Sequence, residues 1–374
     1  MARLLRYVIP GLVIQAVLVG GGYSTGRELV EFFLLSGPAT ALPAMALTAA
    51  YFSLGSMISF ELARQYRAFD YRSFCRVYSG RFWVLFEWGY IAILILVLSV
   101  VSSAAGKLLS EMTGTGEFID SIIFMAGVAL IVFFGSNLIE RIISIWSVIF
   151  YIVYGSLFLL VVHKFGPQLH AALQSTRLDY GRALSDSISY AGYNIAILPV
   201  LIFVARNFAS RREALISGAL AGPLILLPGF AFLLALSAFY PKILDAPLPV
   251  TVVLANLGNP VLTVLVRIVV LGAFLKTGVG LLHGLNERFA GSFTERGKVM
   301  PRGARPAIAI ALMIIAVYLA TSLGIVELIG RGYRYSSYFF LAVFVLPVAT
   351  RGVWLILRPG MRPAAPDARA IVQD

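Results

Sequence analysis

Residues 19–26 place four glycines and two hydroxyl side chains inside an otherwise apolar stretch. The segment reads Val-Gly-Gly-Gly-Tyr-Ser-Thr-Gly, with Gly20, Gly21 and Gly22 in a row and Gly26 at its end. Each glycine in a helix interior costs about 1 kcal/mol relative to alanine, so a helix that only crossed a bilayer would not contain this run. The stretch therefore predicts a membrane helix that is broken between Gly20 and Gly26, with its freed backbone groups available to hold a ligand.

The composition of the 374 residues points to a membrane protein. Hydrophobic residues make up 59% of the chain and charged residues only 13%, whereas soluble domains carry about 25% charged residues. Apolar runs approach the roughly 20 residues that span a bilayer. We therefore expect a single all-α polytopic domain over residues 1–374, with the lipid bilayer as its surroundings. The first helix lacks a cleavable signal pattern.

Ten membrane spans are predicted, and the basic residues sort by side when the N-terminus is placed in the cytoplasm. Twenty of the 30 lysines and arginines then fall on the cytoplasmic side and seven on the other, in agreement with the positive-inside rule. We expect a cytoplasmic (inner) cell membrane location with both termini cytoplasmic, a flexible tail over residues 359–374, and no nucleic-acid partner despite a net charge of +12. The spans are approximately 8–35, 40–63, 83–106, 118–136, 139–163, 186–205, 213–239, 259–288, 306–322 and 334–357.

The ten spans divide into two halves of five, and the first span of each half is interrupted. The halves run from about 8 to 163 and from about 186 to 357, which predicts a 5+5 inverted repeat. In span six, Gly192, Asn194 and Pro199 disfavour a continuous helix. Interrupted segments in corresponding positions of two halves are the best sequence pointer to a transporter binding site.

The chemistry of a broken helix indicates what it could hold. A half-helix that begins near Thr25 presents free N–H groups and suits a carboxylate, while one that ends near Gly20 presents free carbonyls and suits an ammonium or a metal cation. A zwitterionic amino acid would fit both ends. The alternative is that the glycines only permit close helix packing. The candidate substrate-binding residues are Gly20, Gly21, Gly22, Tyr23, Ser24, Thr25, Gly26, Tyr190, Gly192, Tyr193 and Asn194.

The segment from Val19 to Phe33 resembles the first-helix signature of the YkvI-type membrane proteins, which reads close to GAGFASGQE followed by an aromatic pair. That group in turn resembles the amino acid–polyamine–organocation superfamily. The resemblance implies the inverted-repeat fold of the leucine transporter, with substrate held between helices one, three, six and eight. The chain departs from the signature at Gly21, Tyr23 and Arg27, and the last two add polarity near the break.

Lys276 lies near the middle of predicted span eight, where a lysine is expensive and marks a functional site by default. Gly272 and Gly280 share its helix face, so we expect that face to pack on a neighbouring helix and Lys276 to point into the protein. The resemblance implies that its ammonium, with Thr277 beside it, takes the place that a sodium ion holds in sodium-coupled relatives. The protein would then be sodium-independent, with Lys276 as a tethered cation or a proton carrier. The alternative is a structural pair with a carboxylate such as Glu28.

The charged residues after the first break allow two interpretations. Arg27, Glu28 and Glu31 could form a gate, or Glu28 could contact a substrate amine. Alternatively, Arg27 and one glutamate only neutralise each other. Asp186, at the start of span six, is expected to cap that helix.

These observations favour a secondary transporter of a small organic solute, most of all an amino acid or a related amine, that works by alternating access. The alternative is a ligand sensor on a transporter fold. One cysteine and three scattered histidines supply neither a catalytic constellation nor a metal cluster, so we expect no enzyme activity, no cofactor and no metal. Protons are a possible coupling partner, and nothing in the sequence indicates an oligomeric state.

Overall fold

The computed structural model describes residues 2–134, 136–174, 178–294, 301 and 303–358, and those residues form helices, turns and bends without a β-strand. The predicted tail, 359–374, lies outside the described residues. The α-helices are α1 Ala2–Leu18, α2 Gly21–Thr25, α3 Arg27–Phe32, α4 Pro38–Tyr66, α5 Tyr71–Ser79, α6 Trp83–Thr113, α7 Glu117–Phe134, α8 Ser136–Leu173, α9 Tyr180–Asn194, α10 Arg211–Ser237, α11 Pro249–Leu257, α12 Pro260–Thr294, α13 Ala304–Glu327, α14 Arg334–Phe340 and α15 Val353–Leu357.

Six helical stretches among the described residues are long and apolar enough to cross a membrane. The sequence predicted ten spans. Two of the predicted spans, 306–322 and 334–357, fall within one apolar stretch, and the two interrupted spans are divided into helices of 17 residues or fewer. The predicted span 118–136 corresponds to α7, which is not among the six. The six stretches are Pro38–Tyr66, Tyr71–Thr113, Ile149–Leu173, Arg211–Ser237, Pro260–Asn286 and Pro306–Leu357.

The predicted interruption of the first span is confirmed, and it has two parts. α1 ends at Leu18, and α2 begins only at Gly21 after extended backbone at Gly20. A second bend at Gly26, where φ is +81°, separates α2 from α3. Only glycine adopts that left-handed conformation readily, which accounts for the glycine at position 26. At Gly20 the close neighbour is the reason instead, because a Cβ there would lie 2.9 Å from Thr277 Oγ1 of α12.

The second interruption is also present, but it begins later than the sequence suggested. α9 continues through Gly192 to Asn194 and is followed by short 3₁₀ turns over Ile195–Ile197 and Ile202–Asn207. The expectation that Gly192 breaks the helix is wrong, because its small size serves packing instead. A Cβ at Gly192 would lie 2.2 Å from Ser337 Oγ of α14.

The prolines of α10 help to fix this helix against its neighbours. Pro228 has no N–H to give to the carbonyl of Leu224, and Gln15 of α1 donates its amide N–H to that carbonyl instead. The other internal proline likewise frees the carbonyl of Ala219, which accepts a 2.7 Å hydrogen bond from Ser53 of α4. α10 therefore holds both the first half of the broken helix and α4.

Candidate functional site

A cavity of about 120 Å³ lies between the two helix breaks. Its walls come from α1, α2, α3, α6, α9 and α12 and from the segments after α9 and α13. Eight of the predicted site residues line it: Gly20, Gly21, Gly22, Tyr23, Glu28, Tyr193, Asn194 and Thr277. The other lining residues are Val17, Leu18, Tyr90, Ile93, Leu94, Val97, Ala196, Ile197, Leu281 and Tyr333.

Hydroxyl groups satisfy the backbone of the first break. The N–H of Gly21 donates to Thr277 Oγ1 of α12 at 3.0 Å. Ser24 and Thr25 donate their hydroxyls to the carbonyls of Gly21 and Gly22, both at 2.7 Å. Unpaired backbone groups are costly in a membrane, so these contacts stabilise the break. Ser24 and Thr25 do not line the cavity, and the described hydrogen bonds of their hydroxyls are to backbone groups.

A hydrogen bond between two side chains joins the two breaks. Tyr193, near the end of α9, donates its hydroxyl to Glu28 Oε2 of α3 at 2.6 Å. Glu28 is only 7% exposed. Its other carboxylate oxygen, Oε1, lies so close to Gly22 that a Cβ there would come within 2.1 Å of it. An alanine at position 22 would therefore displace this oxygen of Glu28.

Tyrosine rings form much of the remaining polar wall. The rings of Tyr193 and Tyr333 lie 4.5 Å apart between centroids, at 33°. The sequence did not predict Tyr333, which stood in the loop before span ten. The neighbouring Gly332 was the available sequence signal, because small residues permit close packing of membrane helices. In the structure, a Cβ at Gly332 would lie 2.8 Å from Leu96 of α6.

Lys276 does not line the cavity. Its ammonium donates to the carbonyl of Ala16, in the last turn of α1, at 3.2 Å. The expectation of a glycine-lined packing face around it is wrong at Gly280, which is exposed and would meet nothing within 4 Å if it carried a Cβ. The close approach occurs instead at Gly278, where a Cβ would lie 3.1 Å from Val128 of α7.

Arg27 is fixed away from the cavity. Its guanidinium pairs with Glu31 at 2.7 Å and donates to the carbonyls of Leu244 and Ala246 at 2.7 and 3.2 Å. These contacts match the interpretation that Arg27 and one glutamate neutralise each other, and they also anchor the loop before α11. Of the remaining predicted residues, Gly26 forms the second bend, and Tyr190 packs its ring 5.0 Å from that of Phe33.

Asp186 is not the helix cap that the sequence suggested. The helix cap lies about two turns earlier, where Asp179 accepts from the N–H of Arg182 at 2.9 Å. Asp186 is buried within the helix and pairs with Arg334 at 2.7 Å and Arg182 at 3.2 Å. Arg334 also lies over the ring of Phe32, 5.8 Å from its centroid.

A second arginine–carboxylate pair adjoins the cavity wall at Tyr90. Arg288 pairs with Glu87 at 2.9 Å. Its guanidinium carbon lies 4.5 Å from the ring centroid of Tyr90 and 4.4 Å from that of Tyr71. Cations favour such positions over aromatic faces, so this pair and the Arg334–Asp186 pair each connect a charge cluster to the aromatic residues around the cavity.

The fold and the two facing breaks define the class of the protein: a helical membrane protein of the leucine-transporter fold. The structure is similar to that of MhsT in complex with L-phenylalanine, with a TM-score of 0.63 over 98% of this chain and 97% of that one, at 18% identity. It is also similar to a manganese transporter of Eremococcus coleocola (TM-score 0.57, 16% identity, 95% and 83% coverage). The structure is similar as well to that of a Na⁺-coupled sialic acid symporter (TM-score 0.52, 15% identity, 92% and 84% coverage).

A sequence relative agrees with the resemblance read from residues 19–33. The chain is 24% identical over 344 residues to the uncharacterized membrane protein YkvI of Bacillus subtilis (strain 168), which covers 88% of this chain and 92% of the relative. The similarity to a YkvI protein, expected from the first-helix signature, is thereby confirmed. No family model matches the chain.

Proposed function

We propose that this protein is a secondary transporter of a small organic solute, an amino acid or a related amine, that works by alternating access. The observation that carries the proposal is the cavity between two broken helices, with Glu28 of one break hydrogen-bonded to Tyr193 of the other. Irregular backbone at membrane depth is tolerated where it lines a cavity. The proteins of similar fold are named as transporters or symporters, which supports transport rather than catalysis.

In this proposal the chain has ten membrane helices in a 5+5 inverted repeat. α1, α2 and α3 together form the discontinuous first helix, and α9 with the turns that follow forms the discontinuous sixth. The repeats cover about residues 8–163 and 186–357. Both termini lie in the cytoplasm of a cell whose inner membrane holds the protein, as the distribution of basic residues favours.

Two ion pairs act as gates in this scheme. The Arg288–Glu87 pair lies behind Tyr90, and the Arg334–Asp186 pair lies behind Phe32, whose ring is 5.7 Å from that of Tyr193. Opening one pair at a time would admit solute from one side only. Alternating access of this kind is typical of transporters with inverted repeats.

The proposal includes independence of sodium, with the Lys276 ammonium in place of the ion. The ammonium already contacts a carbonyl at the end of α1, and Thr277 beside it contacts the start of α2. In proteoliposomes, solute uptake should be unchanged when sodium is replaced by potassium. Lys276→Ser should reduce uptake by at least about ten-fold, the scale of one lost charged hydrogen bond, while Lys164→Ser, which removes a lysine far along α8, should leave it intact. Uptake by the unaltered protein that requires a sodium gradient would overturn this part.

The flux measurement also separates transport from sensing. Saturable binding by the purified protein, combined with the absence of flux in the same proteoliposomes, would favour a ligand sensor on this fold. Flux that saturates with solute concentration and is faster than in protein-free liposomes supports the transporter.

A further inference from the structure

We propose that the ligand of the central cavity is a small organic cation that carries an amine and no carboxylate. This inference rests on the proposed function, because it specifies the solute class of the same site. The two half-helices suggested a zwitterion with an ammonium and a carboxylate. The inference here keeps the ammonium and excludes the carboxylate.

The carboxyl group on the cavity wall can bind a cation. Of the described residues that line the cavity, only Glu28 has an acidic or basic side chain. Tyr193 occupies one carboxylate oxygen of Glu28, at 2.6 Å. The other oxygen faces the first break beside Gly22. A buried carboxylate is costly without a positive partner, and an ammonium in the cavity would supply it.

The basic side chains nearest the cavity already have hydrogen-bond partners, and so does the first N–H donor of α2. The N–H of Gly21, the first donor of α2, is held by Thr277. Arg27 is held by Glu31 and by loop carbonyls, and Lys276 donates to the carbonyl of Ala16 outside the cavity lining. A substrate carboxylate would therefore enter next to Glu28 without a cationic side chain on the described wall to receive it.

The aromatic wall favours an organic cation over a metal ion. Tyr90, Tyr193 and Tyr333 line the cavity, and aromatic faces attract alkylammonium groups. Calcium takes six to eight oxygen ligands, and transition metals prefer histidine, cysteine or several carboxylates. Among the described residues, no group of three or more histidines, cysteines, aspartates or glutamates could hold a metal ion.

Three ligands that share a branched four-carbon group test this inference: isobutylamine, L-valine and 3-methylbutanoate. They carry an amine alone, both groups, and a carboxylate alone. Thermal unfolding of the full-length protein in nanodiscs would report binding, because a ligand that binds only the folded state raises the unfolding temperature. We expect isobutylamine to bind at least about ten-fold more tightly than valine, one charged interaction, and 3-methylbutanoate not to bind.

Variants assign the binding to this cavity. Glu28→Gln should weaken isobutylamine binding by about 10- to 100-fold, and Glu327→Gln, which removes a half-exposed carboxylate of α13, should leave it unchanged. If Glu28→Gln does not fold, the pair Tyr333→Leu and Tyr333→Phe replaces it. Tyr333→Leu removes the aromatic ring and should weaken isobutylamine binding by about five-fold. Tyr333→Phe keeps the ring and should leave binding unchanged.

Three results would overturn the inference: valine binding as tightly as isobutylamine, 3-methylbutanoate binding, or no stabilisation by any member of an amine panel from methylamine to choline and spermidine. Flux keeps this test apart from that of the proposed function. Amines that bind without crossing the membrane would contradict the proposed transport but support the ligand class. Valine flux without amine flux would support transport but contradict the ligand class.

Discussion

The two helix breaks keep their backbone hydrogen-bonded in different ways. At the first break, side-chain hydroxyls of Ser24, Thr25 and Thr277 pair with backbone groups. At the second, the chain forms tight turns with itself, as in the hydrogen bonds from Leu198 to Ile195 and from Val200 to Ile197, at 3.0 and 3.1 Å. The first break is thus built from polar groups of two helices, whereas the second is self-contained.

This difference assigns different roles to the two breaks. The first brings charge to the cavity through Glu28, and its shape depends on α12. The second contributes the ring and hydroxyl of Tyr193 and the apolar surface of Ala196 and Ile197. We therefore expect substitutions at the first break to alter ligand recognition, and comparable substitutions at the second to alter mainly stability.

The largest expected difference is between alanine substitutions at two glycines. Gly22→Ala puts a methyl group where Glu28 Oε1 now lies, 2.1 Å away, and so displaces the carboxylate. We expect it to weaken isobutylamine binding by about 100-fold, a full charged interaction. Gly192→Ala displaces the Ser337 hydroxyl, at 2.2 Å, and crowds Leu341 Cγ, at 3.2 Å, and both residues lie outside the cavity lining. It should lower the free energy of unfolding by about 1–3 kcal/mol and leave binding within two-fold.

Thermal unfolding with and without isobutylamine measures both effects on the same samples. Equal losses of binding in the two variants would show that the breaks contribute equally to recognition. The assignment of ligand recognition to the first break would then be wrong.

The next difference concerns the hydroxyl groups of two tyrosines that line the cavity. Tyr193→Phe removes a hydrogen bond to a buried carboxylate and should lower the free energy of unfolding by about 1.5–3 kcal/mol. The Tyr23 hydroxyl is buried and has no hydrogen-bond partner among the described residues, so Tyr23→Phe should change stability by less than about 0.5 kcal/mol or increase it. Denaturant unfolding of each variant in detergent is the measurement. A Tyr23→Phe loss as large as that of Tyr193→Phe would contradict the assigned contacts.

Helix propensities of nearby residues predict the two breaks. They do not predict contacts between residues that are far apart in the sequence. The glycines at 20–22 predicted an interruption because the cost of glycine in a helix is local. Gly192 was misassigned because a glycine that permits packing and one that ends a helix look alike in a sequence. The hydroxyls of Ser24 and Thr25 pointed to a ligand by type, yet they bind backbone carbonyls. Tyr333 reaches the cavity from a distant part of the chain, which span-by-span analysis does not reveal.

The smallest expected effect compares one polar side chain at each break. Thr277→Val keeps the shape of the side chain but leaves the N–H of Gly21 without its acceptor, which should cost about 1–2 kcal/mol of unfolding free energy. Asn194→Ala removes the 3.0 Å hydrogen bond to the carbonyl of Tyr190 and should cost less than about 1 kcal/mol, because alanine favours the helix. Thr277→Val also returns a free N–H to the cavity, so it should raise the affinity for valine relative to isobutylamine. Calorimetric titration with both ligands checks this ratio, and an unchanged ratio would mean that the Gly21 N–H is not what disfavours a carboxylate.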